Sequence, residues 1–469
     1  MDGRSHRRAM LPPFDPWLSS LFSADVAVAS HAREEALAGR RAQRLASLLD
    51  SAVRGSALYR KLLAGRDPAC LRLEELPIVH KAELMRQFED WVTDPALRFD
   101  ALCRFASDPS CIADPFLGRY VVWESSGSSG EPGLFVQDAR AMAVYDALEF
   151  WRGPTLQRMA NPWSLGGRVA FIGATGGHFA SMVSIERLRR LNPALKDGLC
   201  SISFLQPACD WVAELDALAP TVVATYPSLA VLLAQERLAG RLKTLPREVW
   251  TGGENLSEAT REHLQQALHC RVTNSYGASE FLSLAGECRF GSLHLNSDWA
   301  ILESVDDRGC EVPAGETGAT TLLTNLANHV QPLIRYDLGD RVTRRAAPCA
   351  CGSHHPVIDV QGRDDDMLAL GRPDARIVRI PPLAVSTVLE DDAGLFDFQL
   401  EQQGPCNLLL RTGLQGKAAD SGLRRAQTVL SAFLVRQGAD GIRIRCRSGE
   451  TGRCGRSGKV QRVVVRLEA

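Results

Sequence analysis

The chain has 469 residues, more than one compact core usually supports, so we expect at least two domains. Hydrophobic residues make up 45% and charged residues 23% of the sequence, which is typical of globular proteins and excludes long disordered stretches. The net charge of -1 creates no field that would attract nucleic acid or an acidic membrane surface, so we expect neither as a partner.

The start of the chain and the cysteines predict the compartment. Basic residues near the amino terminus are followed by a segment interrupted by prolines and Asp15, so no continuous apolar region of a secretory signal follows. No stretch approaches the ~20 apolar residues needed to cross a bilayer. The 13 cysteines are odd in number and widely scattered, unlike a secreted disulfide framework. We therefore expect a cytoplasmic protein.

Helical spacing dominates the first part of the chain. Residues 32–64 place Leu45, Leu48 and Leu49 on one stripe, and residues 76–92 combine a short extended stretch with a helix. Residues 1–75 are therefore predicted as a helical lead-in to a larger domain.

From about residue 100 to 345, short apolar strands alternate with helices. Strands are predicted at 169–172, 222–225, 248–250 and 272–274, and helices at 228–239 and 258–268. Such alternation predicts an α/β domain with mainly parallel sheets and flanking helices.

The last hundred residues carry strand and helix patterns of their own, after a charged run at 363–366. Strands are predicted at 407–411 and 442–447, on either side of a helix at 421–437. We therefore predict a large domain over residues 1–362 and a small α+β domain over residues 363–469.

A loop of small polar residues follows the apolar strand predicted at 120–123. It consists of Ser125, Ser126, Gly127, Ser128, Ser129 and Gly130. Small residues let backbone N–H groups approach a polyphosphate, and the hydroxyls add donors. A flexible surface linker has the same composition, so both interpretations stay open. The lysine of the common NTPase phosphate loop is missing.

The segment 274–280 brings a strand to a glycine turn. Its residues are Asn274, Ser275, Tyr276, Gly277, Ala278, Ser279 and Glu280. The tyrosine ring could pack against a purine. The glutamate could bind a magnesium ion that bridges phosphates. The alternative is a strand-to-helix turn with Glu280 on a solvated face, which is the commoner explanation of such a pattern taken alone.

Three later motifs carry charged side chains at turns. Asp340 follows Gly339, Arg363 precedes an acidic run, and Lys459 follows Gly458. A carboxylate can accept both hydroxyls of a ribose, and an arginine can bind phosphate through two N–H groups. Surface turns with local ion pairs are the alternative.

The order and spacing of these motifs are more specific than any one of them. With Gly252-Gly253-Glu254 between the first two, the series resembles the acyl-adenylate-forming (AMP-dependent synthetase/ligase) superfamily from about residue 76 to the end. Residues 76–84 (LPIVHKAEL) and 348–352 (PCACG) are similar to motifs of its phenylacetate–coenzyme A ligase branch.

That resemblance implies a role for each matching residue. Arg363 would lie beside ribose and phosphate, Asp365 would be the hinge of the small domain, and Lys459 would bridge the substrate carboxylate and the α-phosphate. Asp340 would bind the ribose, and Glu280 would hold Mg²⁺. Phosphate and adenine contacts would come from Ser125, Ser126, Gly127, Ser128, Ser129, Gly130, Gly252, Gly253, Glu254, Asn274, Ser275, Tyr276 and Ser279.

The implied reaction uses ATP and Mg²⁺ to convert a carboxylic acid into an acyl-AMP, which then passes its acyl group to a thiol. The branch suggests an aromatic acid of the benzoate, hydroxybenzoate or phenylacetate type. Pocket candidates are Tyr145, Phe150, Ile172, Gly277 and Ala278, although the two aromatic residues fit an ordinary helical core as well.

Two departures from the family pattern bear on binding. Glu131 stands where the family usually has a lysine, so phosphate binding must depend on backbone donors, hydroxyls and metal. Residues 370–376 replace the usual Arg-Gly loop at the thiol tunnel. The acceptor is therefore open between coenzyme A and the phosphopantetheine of an acyl carrier protein.

The compact Cys/His sets of the chain suggest a metal site. Cys288, His294, Cys349 and Cys351 would together form a tetrahedral Cys3His set suited to structural zinc. Buried cysteines around a core histidine are the alternative.

Two other functions remain open at this stage. A homodimer is compatible with either of them. One is a nucleotidyl transferase that stops at the adenylate or uses a non-thiol acceptor. The other is a non-catalytic nucleotide-binding protein, although retention of both Glu280 and Lys459 speaks against it.

Overall fold

The computed structural model describes residues 11–64, 72–125, 133–155, 167–361, 367–371, 377–395, 397–449 and 462–466. Its α-helices are α1 Pro16–Ala29, α2 Glu34–Gly55, α3 Ala57–Leu62, α4 Lys81–Arg86, α5 Phe88–Trp91, α6 Phe99–Ala106, α7 Ala139–Arg152, α8 Ala180–Leu191, α9 Ala208–Leu218, α10 Pro227–Leu238, α11 Glu258–Leu268, α12 Pro382–Thr387 and α13 Gly416–Arg436.

The strands are β1 Val121–Glu124, β2 Leu134–Gln137, β3 Val169–Gly173, β4 Leu199–Ser203, β5 Val222–Thr225, β6 Glu248–Thr251, β7 Arg271–Ala278, β8 Phe281–Glu287, β9 Leu293–Leu295, β10 Ala300–Val305, β11 Thr320–Asn325, β12 Tyr336–Asp337, β13 Arg341–Arg344, β14 Val357–Gln361, β15 Leu368–Leu370, β16 Val378–Ile380, β17 Gln399–Gly404, β18 Asn407–Thr412, β19 Arg443–Ser448 and β20 Val463–Val465. Short 3-10 helices at Leu73–Glu75, Pro109–Cys111 and Pro193–Leu195 and a π-helical turn at Val388–Asp392 complete the described elements.

Helix α7 is central to the first half of the chain, and its start follows from local chemistry. The carboxylate of Asp138 accepts a hydrogen bond of 2.8 Å from the Ala141 N–H, which caps the helix. Helix α1 begins in the same way, because Asp15 accepts from two backbone N–H groups of its first turn. The two helices pack together, and the buried Phe22 and Val26 of α1 belong to the same apolar core as most of α7.

The largest sheet has nine strands in the order β13-β14-β9-β8-β7-β6-β5-β3-β4. Strands β3 to β7 pair in parallel, and the remaining four pairings are antiparallel. The α/β class is therefore confirmed, but the sheet is mixed instead of mainly parallel. From β8 to β14 the strands are joined by turns and loops without helices, and parallel neighbours need a longer crossover connection, usually a helix.

Residues from Leu368 onward form two further sheets. Strands β15 and β16 make a hairpin, and β19-β18-β17-β20 form a four-stranded sheet packed on α13. One apolar cluster contains residues of the parallel strands, such as Val223, and of this last sheet, such as Leu400 and Leu410. A side-chain bond of 2.7 Å from Gln437 to the Leu205 carbonyl also joins the two regions. Across the described ranges, no helix is both long and apolar enough to pass through a bilayer.

Candidate active site

A cavity of ≈ 1410 Å³ opens at the carboxyl ends of β5, β6 and β7. Tyr226, Gly252 and Ser275, which follow or end these strands, line it, and the loop around Asp340 closes another side. In sheets with parallel strands, ligands usually bind at this edge, because the loops that leave the strands are free to carry polar groups. The cavity is therefore the first candidate for the active site.

Most of the predicted binding residues that the structure describes line this one cavity. They are Ser125, Tyr145, Gly252, Gly253, Glu254, Asn274, Ser275, Tyr276, Gly277, Ala278, Ser279, Glu280 and Asp340. Eight predicted residues of the Ser/Gly loop and the small domain lie outside the described residues. They are 126–130, Arg363, Asp365 and Lys459.

Two predicted pocket residues do not line the cavity, and the prediction for them is corrected here. Ile172 is fully buried on the opposite face of β3 from Phe171, which does line the cavity. Successive side chains of a strand point to opposite faces, so choosing the wrong neighbour reverses the assignment. Phe150 makes an edge-to-face contact with Trp151, with ring centroids 5.3 Å apart, on a different side of α7.

Four side chains inside the cavity form what we call the tyrosine–carboxylate cluster: Tyr276, Glu280, Tyr336 and Asp340. The Tyr276 hydroxyl donates to Asp340 at 2.9 Å, and the Tyr336 hydroxyl donates to Glu280 at 2.8 Å. Each carboxylate is thus fixed by a tyrosine from another strand or loop, which holds its position without neutralising its charge. Such an arrangement suits ligands that carry hydroxyl groups or a cation.

The environment of Glu280 opposes its negative charge. Burial raises the pKa of the Glu280 carboxyl, and it outweighs the opposite effects of the Tyr336 hydrogen bond and of the Lys81 ammonium. Removing a carboxylate from water disfavours its ionised form unless a cation compensates. Lys81 begins α4 and also lines the cavity, so a positive charge lies near the carboxylate.

Lys81 also contacts the end of the Ser/Gly loop. A Cβ atom on Gly133 would lie 3.0 Å from the Lys81 Cδ and 3.0 Å from the Ser125 Oγ, so the three residues are in close contact. The Gly133 N–H donates to the Ser125 Oγ at 2.9 Å, which closes the base of the loop. A lysine from another segment thus lies at the base of the loop.

The turn after β6 needs both of its glycines. Gly253 has a φ of +78°, a conformation that side chains with a Cβ rarely adopt, and the Tyr226 ring lies 3.2 Å from the position a Cβ would take. Glu254 then turns back and accepts hydrogen bonds of 2.9 Å from both the backbone N–H and the hydroxyl of Ser228. The Gly253 backbone therefore lies directly against the Tyr226 ring.

A bulge in β7 positions the next segment. The register between β7 and β8 shifts between Tyr276 and Ala278, and a Cβ on Gly277 would lie only 1.9 Å from the Leu282 carbonyl oxygen. Only glycine fits there. The Trp123 indole donates to the Ser279 carbonyl at 2.7 Å, which fixes the turn that carries Glu280.

Several cavity residues were not predicted as functional from the sequence. Lys81 and Tyr336 reach the tyrosine–carboxylate cluster through tertiary contacts that no local pattern reveals. Asp146 and Glu149 also line the cavity, and Glu149 was detectable because it lies one helical turn after Tyr145.

The predicted metal residues also come together, and we call them the cysteine–histidine cluster: Cys288, His294, Cys349 and Cys351. Their ligand atoms all lie within 4.8 Å of one another. The sulfurs of Cys288 and Cys349 are 3.8 Å apart, and the Cys351 sulfur is 3.3 Å from the Nε2 of His294. The turn after β8 and the loop between β13 and β14 supply the cysteines, and β9 supplies the histidine.

Comparison with known proteins places this architecture in a class. A solved structure of 2-hydroxyisobutyryl-CoA ligase with 2-HIB-AMP and CoA in the thioesterification state matches with a TM-score of 0.58 at 20% identity, over 94% of this chain and 91% of that chain. The same enzyme in the postadenylation state with 2-HIB-AMP gives 0.53 at 20% identity, over 91% and 88%. The chain therefore has the fold of an acyl-CoA ligase.

Two curated proteins are similar in sequence to parts of the chain. The chain is 33% identical over 186 residues to phenylacetate–coenzyme A ligase of Thermus thermophilus, which is 36% of this chain and 39% of that protein. It is 25% identical over 134 residues to Protein CapK of Staphylococcus aureus, 28% of each chain. The matches therefore span well under half of either relative, and no protein-family model matches the chain. With the shared fold, they confirm the predicted resemblance to the acyl-adenylate-forming superfamily.

Proposed function

We propose that the protein uses ATP to convert a carboxylic acid into an acyl-AMP and then transfers the acyl group to the thiol of coenzyme A. The observation that supports this most directly is the tyrosine–carboxylate cluster. Tyr276, Glu280 and Asp340 come from the two predicted nucleotide motifs and meet in one cavity. The likeness to the Thermus ligase supports the same reaction.

The nucleotide would lie along the strand ends. The Gly252–Gly253 backbone and the Tyr226 ring, which line the cavity at the strand ends, would form the adenine side of the site. Asp340, which Tyr276 holds in place, would accept the ribose hydroxyls. The Ser/Gly loop that starts at Ser125 would receive the phosphates.

Glu280 fits a magnesium ligand. Its buried carboxylate receives one tyrosine hydroxyl, and the destabilised negative charge would be compensated by a divalent cation. A bound Mg²⁺ would offset the charge that develops on the phosphates. Lys81, beside both Glu280 and the loop, would supply the cation that the loop itself lacks at Glu131.

In the first step, an oxygen of the substrate carboxylate attacks the α-phosphorus of ATP, a P–O bond forms, and pyrophosphate leaves. We assign Lys459 to stabilise the charge of that transition state, with Arg363 beside the ribose and phosphate. In the second step, the sulfur of coenzyme A attacks the acyl carbonyl and forms a C–S bond, the C–O bond to AMP breaks so that AMP leaves, and the thiol proton passes to solvent. A small domain over residues 363–469 that turns about Asp365 would withdraw Lys459 between the two steps.

The acid is proposed to be aromatic. Tyr145, Phe171 and Phe179 line the cavity and offer apolar rings to a planar substrate. The Tyr145 hydroxyl receives a hydrogen bond of 2.9 Å from Asn325, so its ring is held in one position.

The cysteine–histidine cluster is proposed to bind a structural zinc ion. Sulfurs of a tetrahedral site with Zn–S bonds of about 2.3 Å lie about 3.8 Å apart, the separation of Cys288 and Cys349. The Nδ1 of His294 donates to the His355 carbonyl at 2.9 Å, which leaves Nε2 as the ligand atom. A zinc ion would hold the loop before β14 against the turn after β8. It would have a structural role and no part in the reaction.

Acid-dependent exchange of pyrophosphate into ATP tests the proposed function, with Lys459→Ala as the key variant. We expect exchange with an aromatic acid and a loss of about 100-fold or more in the variant, because one cation facing developing phosphate charge contributes several kcal/mol. Lys417→Ala, an exposed lysine on α13, is the matched control. Undiminished exchange in Lys459→Ala would contradict the proposed mechanism.

A further inference from the structure

The cavity continues between α7 and α8, away from the tyrosine–carboxylate cluster. Helix α7 presents Tyr145, Asp146 and Glu149 to it, and α8 presents Ser181 and Ser184. Residues three and four apart share one face of a helix, so each set forms a wall. Two carboxylates, those of Asp146 and Glu149, therefore lie on the α7 wall of this part of the cavity.

One of the two carboxylates is neutralised within the protein. Asp146 receives two hydrogen bonds of 2.9 Å from the guanidinium of Arg187, whose side chain is almost fully buried. A buried arginine paired with one carboxylate is electrically balanced, so this pair stabilises the junction of α7 and α8. Asp146 therefore needs no ligand.

Glu149 differs from Asp146 in this respect. Within the described ranges, no cation is paired with its carboxylate, and the nearest charge acting on it is the negative one of Asp146. Glu149 is exposed, and its exposed surface faces the open space of the cavity. The surrounding protein and the negative charge of Asp146 both raise the pKa of its carboxyl.

A second polar group in the same part of the cavity lacks a partner. The Ser184 hydroxyl on α8 is buried and makes no hydrogen bond within the described part of the chain. Buried hydroxyls without partners are rare because each loses its hydrogen bonds to water. A ligand that donates hydrogen bonds would satisfy Ser184 and Glu149 together.

We propose that Glu149 recognises a cationic amino group on the acid substrate. The inference rests on the proposed function and narrows its substrate class to compact carboxylic acids with an ammonium group remote from the carboxylate. Such a group would pair with Glu149 and donate a second hydrogen bond to Ser184. An alkylammonium fits this site better than an aromatic amine, which carries no charge at neutral pH.

The test compares three acids of similar shape: 4-(aminomethyl)benzoate, 4-(hydroxymethyl)benzoate and 4-ethylbenzoate. In acid-dependent pyrophosphate release, we expect the highest kcat/KM for the aminomethyl acid. Glu149→Gln should lower kcat/KM for that acid by about 10- to 100-fold, since hydrogen bonds to charged groups contribute that much. The same variant should leave the value for 4-ethylbenzoate nearly unchanged. Glu262→Gln, an exposed carboxylate on α11, is the matched control.

Equilibrium binding by calorimetry without ATP separates this inference from the proposed function. Tighter binding of the aminomethyl acid to the natural protein than to Glu149→Gln would support the inference, whether or not pyrophosphate is released. A lack of pyrophosphate release would contradict only the proposed function. Preference for the ethyl or hydroxymethyl acid, or an equal loss with all three acids in Glu149→Gln, would overturn the inference. Circular dichroism and thermal melting of the variant show that it remains folded.

Discussion

The tyrosine–carboxylate and cysteine–histidine clusters both involve the nine-stranded sheet, but they differ in what holds their side chains. In the first, Tyr276 and Tyr336 each fix one carboxylate by a single hydrogen bond, and the carboxylates still line an open cavity. In the second, four ligand atoms crowd around one point from two turns and a strand. The first arrangement leaves room for a ligand to enter and leave, whereas the second suits a permanently held ion.

This difference predicts that the two clusters control different properties. Changes in the tyrosine–carboxylate cluster should alter activity while the fold persists, because its buried charge already opposes stability. Changes in the cysteine–histidine cluster should alter stability first. Variants of each cluster, measured for both properties, show whether that separation holds.

The largest effect is expected for Glu280→Gln. Acid-dependent pyrophosphate exchange should fall by about 100- to 1000-fold, because the proposed magnesium ligand loses its charge. The thermal unfolding temperature at pH 8 should stay equal or rise. Burial raises the pKa of Glu280 in the folded protein, so the ionised carboxylate lowers stability at high pH, and glutamine removes that cost.

Tyr336→Phe is the control for geometry, since it removes only the hydrogen bond to Glu280 and should cause a much smaller loss of exchange. A clear drop in the unfolding temperature of Glu280→Gln at pH 8 would show that the cluster is structural, against the proposed separation.

A smaller effect on activity but a marked one on stability is expected for Cys349→Ser. The natural protein should carry about one zinc ion per chain by elemental analysis, and the variant should carry little. Its free energy of unfolding should fall by more than about 2 kcal/mol, since losing a structural metal belongs to the few large single-site effects. Exchange activity measured well below the unfolding temperature should change little.

Cys310→Ser provides the matched control, because Cys310 is an exposed thiol in the connection between β10 and β11. The proposed zinc site would be contradicted by two results together. The natural protein would contain no zinc after purification without chelators, and it would unfold at the same temperature as Cys349→Ser.

The parallel half of the sheet was largely predictable from the sequence. The strand predicted at 222–225 coincides with β5, and the helix predicted at 258–268 coincides with α11. Buried strands that alternate with amphipathic helices leave a strong pattern. The antiparallel half has short strands and no helices between most of them, so its pairing depends on contacts that periodicity does not express.

Within the site, the residues of the glycine-containing motifs were easier to predict from the sequence than the other residues that line the cavity. Tyr276 and Asp340 were predicted because glycine turns mark where a chain bends around a ligand, whereas Lys81 and Tyr336 reach Glu280 only through the tertiary fold. The failure at Ile172 concerns orientation, since alternation along a strand does not say which set of residues faces the cavity.

The smallest effect is expected at His329, a half-buried residue outside both clusters that serves as a reference. Its Nδ1 lies 2.9 Å from the Ser51 hydroxyl, and burial, assisted by Arg140, lowers the pKa of His329 to about 4. The unfolded chain therefore binds a proton between about pH 6.5 and 4 that the folded protein does not, and stability is lost as the pH falls through this window. His329→Gln cannot titrate, so its free energy of unfolding should decline less between pH 7 and pH 4.5, by on the order of 1 kcal/mol, in urea titrations at both values. Parallel pH profiles for the two proteins would mean that His329 is protonated equally in the folded and unfolded chains, and the acid sensitivity of the molecule would then have to arise at other groups, such as the buried His355.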